Sequence, residues 1–272
     1  MPTNDIKLIV MDMDGTLLNS DQEISQANVA ALKRAREMGV RLAICSGRTY
    51  GDTMCYLAAS GLGDCAVLSL NGAYCLLGGE QVAYEEHELP PDTARACVEL
   101  LAFMRVDFGC YWHNQIAYVM EDADAGAWSK LKPSPYAAKR MYGLEKVASL
   151  EGANKIVCVN PNPARLADVR ARLEALGGMT VTSSWFNNLE IVPVGVNKGA
   201  AVCGLAERLG LSLSQVMACG DNDNDLTMIE CAGLGVAMGN ATDAIKTAAR
   251  FVRATNDEDG VARAIECFVL HS

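Results

Sequence analysis

The chain has 272 residues, half of them hydrophobic and 21% charged, with a formal net charge of −10. That length suits one large or two modest domains, each with its own core, and the acidic balance argues against nucleic acid or an anionic membrane surface as a partner. No run reaches the roughly 18 apolar residues of a membrane span, and the opening MPTNDIKLIVMDMDG lacks the basic start and cleavage pattern of a secretory signal, so a cytoplasmic protein is expected.

From residue 6 onward, strand and helix patterns alternate. IKLIVM is a nearly continuous apolar run, and SQANVAALKRAREM places Val29, Leu32 and Ala35 at helical spacing before Gly39 stops it. VRLAIC (40 to 45) reads as a second buried strand, TYGDTMCYLAAS as a helix and CAVLSL (65 to 70) as a third strand. Apolar strands separated by amphipathic helices indicate a parallel sheet covered on both faces. After Asn71-Gly72 the rhythm changes. AYCLLGGEQVAYEEHEL reads as a hairpin turning at Gly78-Gly79, and PPDTARACVELLAFM as a helix opened by proline. The strands DFGCYW, IAYVM, KIVCVN and MTVTSS then mix with helices near 92 to 104 and 163 to 176, as in an α+β unit. From LEIVP (189 to 193) the alternation returns through KGAAVCGLAERLG, QVMACG, NDLTMIECA, LGVAM, a further helix and FVR. The expected architecture is a doubly wound, Rossmann-like parallel-sheet α/β core made of residues 1–85 and 188–272, with an α+β domain inserted at 86–187. The eleven cysteines are scattered, include no C-x-x-C pair and sit mostly among apolar neighbours, as small buried thiols of a reducing compartment do.

Open α/β sheets bind ligands beyond the carboxyl ends of their strands, and the polar clusters fall there. Asp12 and Asp14 end the first strand, Ser46-Gly47-Arg48 the second, Asn71-Gly72 the third, and GDNDND (220 to 225) follows QVMACG. Asp12 and Asp14 lie one residue apart on the same side of an extended chain and repel each other. Asp221, Asp223 and Asp225 begin a helix, where capping and the helix dipole account for one or two acids but not for three beside Asp12 and Asp14. Such a group of carboxylates is relieved by a hard divalent cation, and Mg²⁺ suits a few carboxylates completed by water and a phosphate. A calcium loop fails, because its glycine position falls on Leu226 and its closing glutamate on Ala232. Lys198 opens a helix against the dipole, as either a solvated surface lysine or a functional cation; Gly199 beside it lets a ligand approach the backbone. Ser46 and Gly47 offer a hydroxyl and backbone N–H groups to a phosphate. Arg48 either joins them or pairs with a nearby carboxylate.

In order, D-M-D-G-T (12 to 16), S-G-R (46 to 48), K-G (198 to 199) and G-D-N-D-N-D (220 to 225) resemble the four motifs of the haloacid dehalogenase superfamily of phosphatases. The insertion between the second and third motifs, with LNGAY before it, resembles the Cof-type branch. The resemblance implies that Asp12 is a nucleophile forming an aspartyl-phosphate and Asp14 a general acid and base. It implies Mg²⁺ held by the Asp12 carboxylate, the Asp14 backbone carbonyl and Asp221, with Asp225 in support. Ser46, Gly47, Arg48 and Lys198 are expected at the phosphoryl oxygens, with Asn224 helping to place the phosphate or the lysine. The inserted unit is expected to act as a cap over a small phosphorylated metabolite, a sugar phosphate or a phosphorylated cofactor, with Trp112, His113, Trp128 and Trp185 as possible contacts. The competing readings are a sugar phosphomutase, which shares D-x-D-G-T, and a non-catalytic phospho-acceptor or phosphometabolite-binding module. A phospho-acceptor domain needs neither the inserted unit nor the second acid.

Overall fold

The computed structural model describes residues 5–80, 82–120, 138–183 and 187–270. The first half of the core runs β1 (Leu8–Met11), α1 (Gln26–Glu37), β2 (Arg41–Cys45), α2 (Tyr50–Ala59), β3 (Ala66–Ser69), β4 (Tyr74–Leu76) and β5 (Glu85–Glu86). A second unit follows, with α3 (Pro91–Phe103), β6 (Asp107–Trp112), β7 (Gln115–Val119), β8 (Lys139–Tyr142), α4 (Leu144–Val147), β9 (Lys155–Val159), α5 (Pro163–Leu176), β10 (Met179–Thr182) and β11 (Asn188–Pro193). The chain then returns through α6 (Lys198–Arg208), β12 (Val216–Gly220), α7 (Leu226–Cys231), β13 (Leu234–Ala237), α8 (Asp243–Ala248), β14 (Phe251–Val252) and α9 (Gly260–Ile265). No helix among the described residues is long and apolar enough to cross a membrane.

The core is an eight-stranded sheet in the order β14-β13-β12-β1-β2-β3-β4-β5. It is parallel from β14 to β3, with β4 and β5 added antiparallel. All four residues of β1 are buried, which is why LIVM carries no polar alternation. Successive strands leave β1 on one side to β2 and on the other to β12, so the strand order reverses at β1. A crevice opens at such a switch point, beyond the carboxyl ends. Local signals agree with the helices that reach it: Ser25 caps α1 by accepting from the Asn28 N–H, Thr49 caps α2 from the Asp52 N–H, and Asn197 caps α6 from the Ala200 N–H.

The second sheet has the order β10-β11-β9-β6-β7-β8 and is antiparallel except where β8 joins β7. Its strands alternate strictly. Phe108, Cys110, Ile156, Cys158, Leu189 and Ile191 pack with α3 and α5 in a core of their own. Tyr111, Lys155 and Glu190 must therefore face the opposite way, toward the main domain. Val192 on that face packs with Leu70 and Ala73, just beyond β3.

Four features depart from the hydropathy reading. The strand at 188–193, expected in the core, pairs with β9 and β10 in the second sheet. All six of its residues are buried, so it looks like a doubly covered parallel strand although its partners are antiparallel. The core sheet also extends to Glu86 through β5. KRMY of β8 carries only a weak apolar signal; α9 (GVARAI), with five of its six residues buried, lies in an apolar run beyond the last strand expected and is tied to α1 by the Ala262 N–H donating to Asn28 Oδ1 at 2.9 Å.

Candidate active site

β1, β2, β12 and the start of α6 converge at the switch point. Lys198 is fully buried in the first turn of α6, and its Nζ lies 2.7 Å from Asp12 Oδ1 and 2.5 Å from Asp225 Oδ1. That explains a cation where the helix dipole disfavours one: its side chain leaves the helix for two carboxylates. Asp225 Oδ2 accepts the backbone N–H groups of Asp221 and Asn222 at 2.8 and 3.1 Å, so both oxygens of Asp225 are used in holding the loop and the lysine. Asp221 Oδ1 accepts from the Thr16 hydroxyl at 2.6 Å. Ligand oxygens of Asp12, Asp221 and Asp225 lie within 4.8 Å of one another.

Burial raises the Asp12 carboxyl well above the ordinary carboxylate range; Lys198 offsets part of this, while Asp225 and Asp221 add to it. Burial likewise pushes Asp221 up to about 7, against the Thr16 hydrogen bond and with the help of Asp225. Burial disfavours the Lys198 ammonium, but Asp12 and Asp225 outweigh it and raise its pKa. Three carboxylates against one ammonium leave two negative charges unbalanced, the charge of one divalent cation. The second oxygens of Asp12 and Asp221 accept no hydrogen bond among the described residues. This all-oxygen donor set fits Mg²⁺, which the free oxygens of Asp12 and Asp221 could hold with Asp225 behind them.

The Asp221 carboxyl therefore binds a proton more tightly in the folded state than at its ordinary 3.8. In metal-free protein the stability this supplies is present at low pH and lost as pH rises through about 7. Mg²⁺ should displace that proton. Calorimetry should therefore show tighter Mg²⁺ binding at about pH 8 than at about pH 6, and a larger rise in Tm at the higher pH. Equal affinity at both would contradict the assignment of Asp221.

Gly15 makes the turn that brings these groups together. Its φ is +75°, and a Cβ there would stand 2.3 Å from Asp221 Oδ2. Gly15→Ala should cost about 1–2 kcal/mol from left-handed strain alone. It should also weaken Mg²⁺ binding by displacing Asp221, both readable in melts with and without Mg²⁺.

Asp14 and Arg48 form a separate pair. Arg48 Nε donates to Asp14 Oδ2 at 2.7 Å and Nη2 to Oδ1 at 2.6 Å, while the guanidinium lies over the Tyr56 ring at 5.0 Å and also reaches Gln22. Of the two readings left open for Arg48, the structure has the carboxylate pairing. Ser46 is buried, and its Oγ accepts from the Arg48 N–H at 3.2 Å. Asn224 Nδ2 reaches Asn71 Oδ1 at 3.5 Å rather than the lysine. Trp112 stacks on His113 and His113 on Tyr74, with ring centroids 4.2 and 5.0 Å apart; Trp128 and Trp185 lie outside the described residues. Thr16 lies inside the D-M-D-G-T motif without a role of its own there, whereas Lys155 and Glu190 fall outside every motif. A single acid inside the apolar LEIVP run was the available signal for Glu190.

Buried acids able to hold a divalent cation beside a lysine are the equipment of phosphoryl transfer, and the chain, whose relatives are phosphatases of the haloacid dehalogenase-like hydrolases, is a phosphoric monoester hydrolase. The family model for haloacid dehalogenase-like hydrolases matches residues 9–265, and the chain belongs to that family. It is 34% identical over 268 residues to the 5-amino-6-(5-phospho-D-ribitylamino)uracil phosphatase YcsE of Bacillus subtilis, covering 98% of this chain and 97% of that protein. It is 29% identical to the pyridoxal phosphate phosphatase YbhA of Escherichia coli, over 95% of this chain and 97% of that one. A crystal structure of a haloacid dehalogenase-like hydrolase from Bacteroides thetaiotaomicron matches with a TM-score of 0.83 at 31% identity, covering 96% of this chain and 99% of the other.

Proposed function

We propose that the protein is a Mg²⁺-dependent phosphatase of a small phosphorylated metabolite, with Asp12 as nucleophile. The observation that carries this reading is the fully buried Lys198 ammonium held 2.7 Å from Asp12 Oδ1. An anionic nucleophile and a phosphate dianion repel each other, and each unit charge pair at ~4 Å is worth roughly 4 kcal/mol near a protein surface. Lys198 offsets that repulsion from one side. Mg²⁺, held by Asp12 and Asp221, supplies the remaining positive charge when bound.

In the first step Asp12 attacks phosphorus, the bond from phosphorus to the substrate oxygen breaks, and an aspartyl-phosphate forms. Asp14 gives the leaving oxygen its proton. Both Asp14 oxygens accept from Arg48 in this structure, the pairing of an ionised carboxylate, so that step requires the bidentate contact to open and free one oxygen to carry the proton. In the second step Asp14 takes a proton from water, the water oxygen attacks phosphorus, and Asp12 is released as a carboxylate with inorganic phosphate. Ser46 orients a phosphoryl oxygen while Lys198 neutralises the charge, and Asp225 keeps the lysine aimed at Asp12.

We read the unit from α3 to β11 as the cap that covers the site and excludes water. The relatives' substrates, a ribitylaminouracil phosphate and pyridoxal phosphate, support a phosphorylated cofactor or cofactor precursor, with sugar phosphates as the other class. The test is phosphate release from a panel of these compounds, with Mg²⁺ and with chelator. Mg²⁺-dependent release from at least one is expected; turnover unaffected by chelator would overturn the metal assignment.

A further inference from the structure

The face that the second sheet turns to the core carries a buried ion pair aimed at the loop after β2. Lys155 Nζ donates to the Gly47 carbonyl at 2.6 Å and lies 3.5 Å from Glu190 Oε2, with side chains only 3% and 5% exposed. Glu190 also accepts from the Asn71 side-chain amide, and Asn188 Nδ2 approaches its other oxygen at 3.4 Å. Asn71 in turn donates its backbone N–H to the Ser46 carbonyl at 2.9 Å and receives Asn224 at Oδ1. Gly47 is what permits the approach: a Cβ there would stand 3.3 Å from Asn71 Oδ1 and 3.4 Å from Lys155 Nζ.

Burial weakens the charged form of Lys155, and Glu190 restores only part of the loss. Well-packed apolar residues in place of such a pair are often as stable or more so. Stability therefore does not account for the pair, and residues that break a local rule are where function is sought. The geometry supplies one. A peptide unit is planar and trans, so holding the Gly47 carbonyl on one side directs the N–H of the same unit, that of Arg48, to the other. There it meets Ser46 Oγ at 3.2 Å. The start of α2 is gripped as well, Gly51 N–H by Asn114 Oδ1 at 2.9 Å and Asp52 by Arg140 at 2.7 Å.

We infer that Lys155 and Glu190 are positioning residues of the phosphate site, setting the Gly47–Arg48 peptide and Asn71, and through them Ser46 and Asn224, when the second sheet is docked. This rests on the phosphatase reading above. Phosphate affinity and cap docking are then one property: the cap completes the pocket for the phosphoryl group as well as covering it.

The test uses the full chain carrying Lys155→Met with Glu190→Gln, which removes both charges at nearly constant volume and should melt close to the wild type. Calorimetric titration with inorganic phosphate in the presence of Mg²⁺ should show affinity weakened by about 10-fold or more, and kcat/KM for p-nitrophenyl phosphate should fall by roughly 10²-fold. A purely structural pair would shift Tm and leave phosphate affinity alone. As a second variant, Asn71→Gly tolerates the φ of 60° at that position, leaves the Lys155–Gly47 contact in place and removes the side chain that links Glu190 to Asn224; it should weaken phosphate binding with little change in Tm. Phosphate affinity and kcat/KM within about twofold of wild type in either folded variant overturns the inference. A wild type that binds phosphate but releases none from any monoester contradicts the phosphatase reading instead, and leaves the calorimetric comparison intact.

Discussion

Asp12→Asn should abolish turnover while leaving the fold intact. The amide has the shape of the carboxyl, so the packing around β1 is kept, and Lys198 retains Asp225 as an anionic partner. What disappears is the nucleophile. Removing a residue of this kind costs roughly 10⁴-fold or more in kcat, so initial rates with an aryl phosphate should fall to background. Mg²⁺ binding should weaken with the loss of one ligand oxygen. Metal-free stability should hold or rise, because burial first, and the Asp225 and Asp221 charges after it, disfavour the Asp12 carboxylate beyond what Lys198 offsets, and the amide is neutral. Retention of full Mg²⁺-dependent hydrolysis would show that another residue attacks phosphorus.

Lys198→Met should give a different signature, losing activity and stability together. The ammonium is fully buried between Asp12 and Asp225. Its removal leaves two carboxylates facing each other with nothing between them. Breaking a buried pair in this way costs about 3–5 kcal/mol, readable as a lower denaturation midpoint at unchanged slope. Part of that loss should return at acid pH, where the carboxyls protonate. Activity should drop as well, by roughly 10²–10³-fold, comparable to the loss of one donor to a developing oxyanion. A variant as stable as wild type at neutral pH would mean that Lys198 does not carry the charge balance of the cluster.

Much of this site could be read from the chain because its chemistry concentrates in short segments. Asp12, Asp14, Asp221 and Lys198 sit at strand and helix ends, where mutual repulsion sets Asp12 against Asp14 and the helix dipole disfavours Lys198, and the apolar runs of β1, β2, β3 and β12 place those ends on one edge. What the sequence hid depends on contacts between distant segments. Arg48 and Asp14 are 34 residues apart, and only the fold shows that their side chains pair in bidentate geometry. Lys155 opens an apolar strand and Glu190 interrupts one, and either position reads as an ordinary strand edge until the period-2 alternation of β9 and β11 turns both toward Gly47. β11 reads as a core strand because full burial makes an antiparallel strand look parallel, and KRMY of β8 has no apolar pattern to mark a strand; pairing with β7 and the Arg140 bond to Asp52 accompany it.

The most direct test is to trap the covalent intermediate. Wild-type protein with Mg²⁺ is mixed with a reactive aryl phosphate, quenched within a turnover and treated with borohydride, which reduces an aspartyl-phosphate to homoserine; peptides are then mapped by mass spectrometry. Conversion at position 12, dependent on substrate and Mg²⁺ and missing in Asp12→Asn, is the expected result. Substrate turnover with position 12 unmodified, or with the label on another carboxylate, would contradict Asp12 as the nucleophile.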